Sequence, residues 1–132
     1  MMVFRAVAGA AFALAAAGLG GCAVGPRLAV PVSQAGSARL QVFWVSAHAR
    51  ADGIDVIGRV RRRPMYVGVI GGHLHVEARF SNGRPPVVAD TRWGGLPSRG
   101  STSASFGAVL RTDRPAEITA IHVEHRLRDD EG

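Results

Sequence analysis

The chain of 132 residues has no lysine, a single cysteine, a single tyrosine and few aromatics, 6% in all. With one thiol it forms no internal disulfide, so the fold rests on its core and its hydrogen bonds. It also lacks a Gly-x-Ser-x-Gly elbow, a P-loop, a dinucleotide fingerprint and a paired-carboxylate motif. The serines cluster at 98–105, away from any such pattern. A domain of this size leaves few residues for a substrate cavity, and the sequence predicts a protein that is not an enzyme. No stretch beyond residue 38 keeps a helical period for three turns, which argues against a helical bundle.

What the sequence does have begins at its start. Arg5 is followed by an uncharged run rich in Ala, Phe and Leu over residues 6–19, then by the small residues Gly20 and Gly21 and by Cys22. The run is shorter than the ~20 residues that cross a hydrocarbon core and has the three-part layout of a secretory signal. Leu19-Gly20-Gly21-Cys22 resembles the lipobox of bacterial lipoproteins. That resemblance covers residues 1–23. It implies cleavage before Cys22, two or three acyl chains on Cys22, and stable attachment to a membrane, since one chain alone binds only marginally. The next residue, Ala23 rather than Asp, resembles the enterobacterial pattern for outer-membrane lipoproteins facing the periplasm.

Cleavage at that point leaves about 110 residues, enough for one domain. All 16 basic residues are arginine and the formal net charge is +6. Export excludes nucleic acid as the partner of this basic chain and leaves lipid headgroups, an envelope protein or simply an ordinary soluble basic surface. Residues 22–37, with Gly25-Pro26, Pro31, Ser33 and Gly36-Ser37, read as a lipidated flexible tether.

From residue 38 the apolar period is two. Strands are expected at 39–47, 54–62, 73–80, 87–93, 103–111 and 118–127. The stretch 65–70 is either a short extra strand or a loop over one end of the core. Asp52-Gly53, Asn82-Gly83 and Thr112-Asp113 supply turns, and 128–132 is a charged tail. Six or seven short strands in 38–127 predict an all-β, antiparallel Ig-like β-sandwich, with a small closed barrel as the alternative. The resemblance to Ig-like or fibronectin-like envelope modules is architectural and carries no function.

Three groups of residues carry candidate chemistry. In 73–80 the apolar Leu74, Val76, Ala78 and Phe80 alternate with His73, His75, Glu77 and Arg79, so two imidazoles and a carboxylate share a face. If this strand neighbours the last one, His73, His75 and His122 converge with Glu77 or Glu124, a donor set suited to Zn or Cu. The alternative is a solvated polar face that needs no cofactor. His125 falls on the apolar side as a hydrogen-bonded core or edge residue, and His48 reads as surface. The second group is Arg59, Arg61 and Arg63 on one strand face, beside Arg62. It forms either an anion or partner contact, or a charged edge that discourages strand-to-strand aggregation. The third is Trp93 beside Gly94-Gly95, placed to stack on a partner or to cap the core; Trp44 is a core candidate. The reading these support is a membrane-anchored interaction or structural module, with a metal-binding module as the alternative.

Overall fold

The computed structural model describes residues 24–97 and 102–127. Seven strands form two sheets: β1 (Val32–Ala35), β2 (Leu40–Arg50), β3 (Gly53–Arg62), β4 (His73–Phe80), β5 (Val87–Thr91), β6 (Ser103–Arg111) and β7 (Ile118–Arg126), of which all but β1 are strands the alternation predicts. One sheet runs β1-β7-β4-β5, the other β2-β3-β6. All pairings are antiparallel except β1 on β7, which is parallel. The protein is a small β-sandwich.

The core lies between the sheets. Leu40, Val42, Ile54, Val56, Val60, Leu74, Val76, Ala104, Phe106, Leu110, Ile121 and Val123 are all buried. These are the inward residues of the period-two rows, and removing them from water drives the two sheets together. Gly58 belongs to the same row for a packing reason. A Cβ there would lie 2.2 Å from the Trp44 carbonyl oxygen and 2.7 Å from the Phe106 ring.

Trp44 departs from the expectation. The β2–β3 register shifts between Val42 and Trp44, so the inward row runs Leu40, Val42, then Val45 and Ala47. A β-bulge adds one residue and turns the following side chains over. Trp44 therefore stands 43% exposed instead of entering the core.

The N-terminal segment departs too. From Pro26 onward it is packed, not a flexible tether. Ala49 donates its amide to the Pro26 carbonyl and Leu28 donates to Ala47, both at 2.8 Å. The segment then crosses to the other sheet, where Val32–Ala35 pairs with Ile121–Glu124. Prolines at 26 and 31 suit an edge segment that uses only some of its backbone groups. At the opposite corner Trp93 bridges to Phe106 and Gly94 donates to the Ser105 carbonyl at 2.9 Å. The end of β5 is thereby tied to β6, so each open side of the sandwich is partly laced.

Residues 63–72 form a loop over one end of the core. Ile70 is buried and Tyr66 packs on the core, while Met65, Val67 and Val69 are 98%, 65% and 84% exposed. Met65 sits at φ 75°, in the left-handed region that a non-glycine side chain adopts at some cost. The loop lies at the far end of β3 from Gly53. Pro26, Ala49 and the Arg50–Gly53 turn lie at the near end. Ten residues of strand separate the ends by about 33 Å.

Candidate functional site

The outer face of the β1-β7-β4-β5 sheet carries the predicted polar row, and the register decides which members meet. On β4, His75 lies between Asp90 of β5 and Glu124 of β7; Glu77 lies between Val88 and His122. His73, next to the end of the strand, stands opposite Arg126. Each strand pairs at an exposed rung because alternate side chains point out, so cross-strand neighbours come within about 5 Å.

The predicted neighbouring of this strand and the last one is correct, but the predicted trio is not what it assembles. His122 pairs with Glu77, one rung pair away from His75. Its Nδ1 lies 2.6 Å from the Ser33 hydroxyl of β1. What meets the two β4 histidines is Asp90: its Oδ1 is 2.9 Å from His75 Nδ1 and 3.5 Å from His73 Nε2. One donor atom from each of His73, His75 and Asp90 fits within a 4.8 Å span. Tetrahedral ligands with bonds near 2.05 Å stand about 3.3 Å apart, close to the two distances from Asp90.

Glu77 lies behind His75 rather than among the donors. Its Oε1 is 3.8 Å from His75 Nε2, while its Oε2 accepts from Arg79 Nε at 2.7 Å. The Arg79 hydrogen bond holds the Glu77 carboxyl below the usual glutamate range against the opposing effect of partial burial. Glu77 is therefore a carboxylate at neutral pH, facing the ring nitrogen of His75 that points away from Asp90. Glu124 is engaged by Arg126 at 3.3 Å.

The arginine row is divided by the structure. Arg59 and Arg61 are exposed; Arg59 Nη2 donates to Ser103 Oγ at 2.8 Å, and Arg61 Nε donates to Gln41 Oε1 at 2.9 Å with its guanidinium 5.0 Å from the Phe43 ring centre. Arg63 lies beyond the strand end and turns back, donating to the Ser37 carbonyl at 3.0 Å. Arg62, which sequence reading treated as one more surface charge, continues the inward row of β3 and is 6% exposed. Trp93 is half-buried against the core, edge-on to the His125 ring at 5.5 Å.

His125 is buried as expected, with Nδ1 2.8 Å from Ser37 Oγ and Nε2 2.9 Å from the Gly71 carbonyl. A carbonyl only accepts, so Nε2 carries the proton and Nδ1 accepts from the Ser37 hydroxyl. His48 is more enclosed than a surface reading suggests, bonded to Ser46 Oγ and to the Gly25 carbonyl, each at 2.9 Å. Cys22 lies outside the described residues.

By fold and site the chain is a small all-β sandwich with a His-His-Asp cluster on one outer face and a basic, partly apolar end. No protein-family model, curated protein or solved structure matches it.

Proposed function

We propose that the chain is a lipid-anchored envelope protein whose sandwich is a non-enzymatic interaction module. On this reading it is an outer-membrane lipoprotein facing the periplasm, held by acylated Cys22. Its contact surface is the end formed by Arg61, Arg63 and the 63–72 loop, with Trp93 beside it.

The observation that carries the reading is the composition of that end. Met65, Val67 and Val69 stand exposed together. Beside them Arg61, Arg63, Met65, Tyr66 and Val67 line a groove of about 650 Å³. Among the described residues, the connecting segments 36–39, 63–72 and 92–97 contain no Asp or Glu. Apolar residues ringed by arginine suit a partner that offers apolar contacts within an acidic rim. Because the Gly25 carbonyl is already bonded to His48, two residues separate Cys22 from the packed domain, a reach of about 10 Å. An anchor there sets the near end against the headgroups and turns the Met65 end away from them, which favours a protein partner over the anchoring bilayer.

A photo-crosslinking residue at Met65 in intact cells tests the surface, with one at exposed Val88 as the comparison. A discrete adduct at Met65 that disappears on Arg61→Glu supports the reading; equal adducts at both positions refute it. Cys22→Ser should move the protein from the membrane to the soluble fraction. Retention on the membrane sinks the anchor.

A second reading rests on a separate observation, the convergence of His73, His75 and Asp90. Two imidazoles and a carboxylate suit Zn, Cu or Ni, with an open fourth position. Glu77 behind His75 has the place of the carboxylate that orients a ligating histidine. Zn²⁺ titration of the untagged protein should give one saturable site, lost in His75→Ala and Asp90→Asn and kept in His122→Ala. Loss in His122→Ala with retention in Asp90→Asn would overturn this donor set.

A further inference from the structure

Arg62 occupies a position where β3 otherwise buries apolar groups. The inward row runs Ile54, Val56, Gly58, Val60 and then Arg62. Its guanidinium donates to two backbone carbonyls, that of Gly68 at 2.6 Å and that of Pro97. Its Nε is buried and, among the described residues, has no hydrogen-bond partner. Tyr66 lies 5.9 Å from it in cation–π contact, and among the described residues no carboxylate pairs with it.

This is an unusual balance. Removing a charged group from water costs several kcal/mol, and the usual compensation is a counter-ion. Two carbonyl dipoles and an aromatic face offset part of that cost here. Among the described residues the N–H stays unpaired and the positive charge uncompensated.

Beside Arg62 there is a cleft of about 410 Å³, whose walls include Val69, Ile70, Trp93 and Leu96. Arg92 stands over the Trp93 ring at 5.2 Å and makes no ion pair among the described residues. Gly94 and Gly95 form one side, where the absence of side chains leaves backbone open to a ligand. Among the described residues the cleft thus joins two guanidinium groups, no acid and an apolar-aromatic floor. Its volume is that of a small-ligand site, too small for more than one or two side chains of a macromolecule.

We infer that this cleft binds a carboxylate carried on a short apolar stem, such as an acidic side chain or the C-terminus of a partner protein. The planar guanidinium fork matches a planar carboxylate in a way a tetrahedral anion does not reproduce. The stem lies against Trp93 and Leu96. This refines the basic end proposed above as a contact surface by giving it a specific anchoring pocket for one acidic group. It rests on that reading for the identity of the natural ligand, while the chemistry of the pocket stands on Arg62 and Arg92.

The test is an NMR titration of the full-length protein in zwitterionic detergent with butyrate, using butyramide as the neutral compound of the same shape. The signals to follow are the Trp93 indole N–H and the Arg62 Nε–H, with exposed Trp44 as the internal reference. Butyrate should shift Trp93 and Arg62 saturably and leave Trp44 in place, and butyramide should do neither. Arg92→Ala, at an exposed position, should weaken butyrate binding about 10-fold, as loss of a charge-assisted hydrogen bond does. Arg62→Gln should abolish it; because that residue is buried, the Arg92 variant keeps the test decisive should Arg62→Gln misfold. Equal shifts with butyramide, parallel shifts of Trp44, unchanged affinity in Arg92→Ala, or displacement of butyrate by inorganic phosphate at equal concentration would overturn the assignment. A discrete Met65 adduct without butyrate binding would leave the contact surface standing and remove only the pocket.

Discussion

His125→Ala should destabilise the domain far more than removal of any other histidine. The ring joins three parts of the chain at the Met65 end: the β1–β2 connection through Ser37, the 63–72 loop through Gly71, and the β5–β6 connection through Trp93. Ser37 Oγ also accepts from the backbone amides of Arg39 and Leu40 at 3.0 and 3.1 Å. Its proton is therefore committed to His125. Truncation removes two hydrogen bonds worth about 1 kcal/mol each, more where a partner is left buried. It also removes an edge-on ring contact of about 1 kcal/mol. The expected loss is about 3 kcal/mol, or roughly 10–20 °C in Tm for a domain of this size. Equilibrium urea unfolding followed by tryptophan fluorescence measures it, with an unchanged m-value showing that stability alone has moved. A double-mutant cycle with Ser37→Ala should give a coupling of about 1 kcal/mol. A loss under about 1 kcal/mol, or full additivity with Ser37→Ala, would refute the account of His125 as a buried three-way junction.

Gly58→Ala should destabilise by about 1–3 kcal/mol, since the new methyl meets the Trp44 carbonyl and the Phe106 ring; an unchanged urea midpoint would count against the packing described. Trp44→Ala, at the bulge, should cost less than a large-to-small core change, and a loss above about 3 kcal/mol would place the ring back in the core. Glu77 titrates below the usual glutamate range because Arg79 donates to it. Its contribution to stability is therefore present above the usual glutamate pKa and is lost as pH falls through the lower folded value. Arg79→Ala should move the Glu77 carboxyl titration upward by NMR, and no movement would remove Arg79 as the cause.

Six of the seven strands were legible because inward and outward side chains alternate along them. In 73–80 the alternation is complete, and it placed His73, His75 and Glu77 together on the outer face. What alternation leaves open is register. The partner of His75 depends on counting across the β4–β5 hairpin, which puts Asp90 opposite it. The Asn82-Gly83 turn sets that count, whereas His122 matches the donor set by residue type alone. Trp44 was misplaced because a single bulge inverts every side chain after it. The segment 24–37 was hidden by its prolines and glycines, which read as a linker although its backbone bonds to both sheets. Arg62 was hidden by its neighbours: in Arg61-Arg62-Arg63 a buried residue looks like the middle of a solvated run, and only the row begun by Ile54 marks it as inward.

The parallel pairing of β1 with β7 bears on the order in which the molecule can be built. Ser33 and His122, which touch at 2.6 Å, are 89 residues apart in sequence. The strand made first has no partner until the strand made last has emerged. Closing so long a loop is entropically slow, and contacts this non-local form late. Until then β2, β3 and β6 can form their sheet and β4 can pair with β5, but β1 and β4 both lack the strand that joins them. The four-stranded sheet of a chain so arranged stays divided until β7 arrives between β1 and β4.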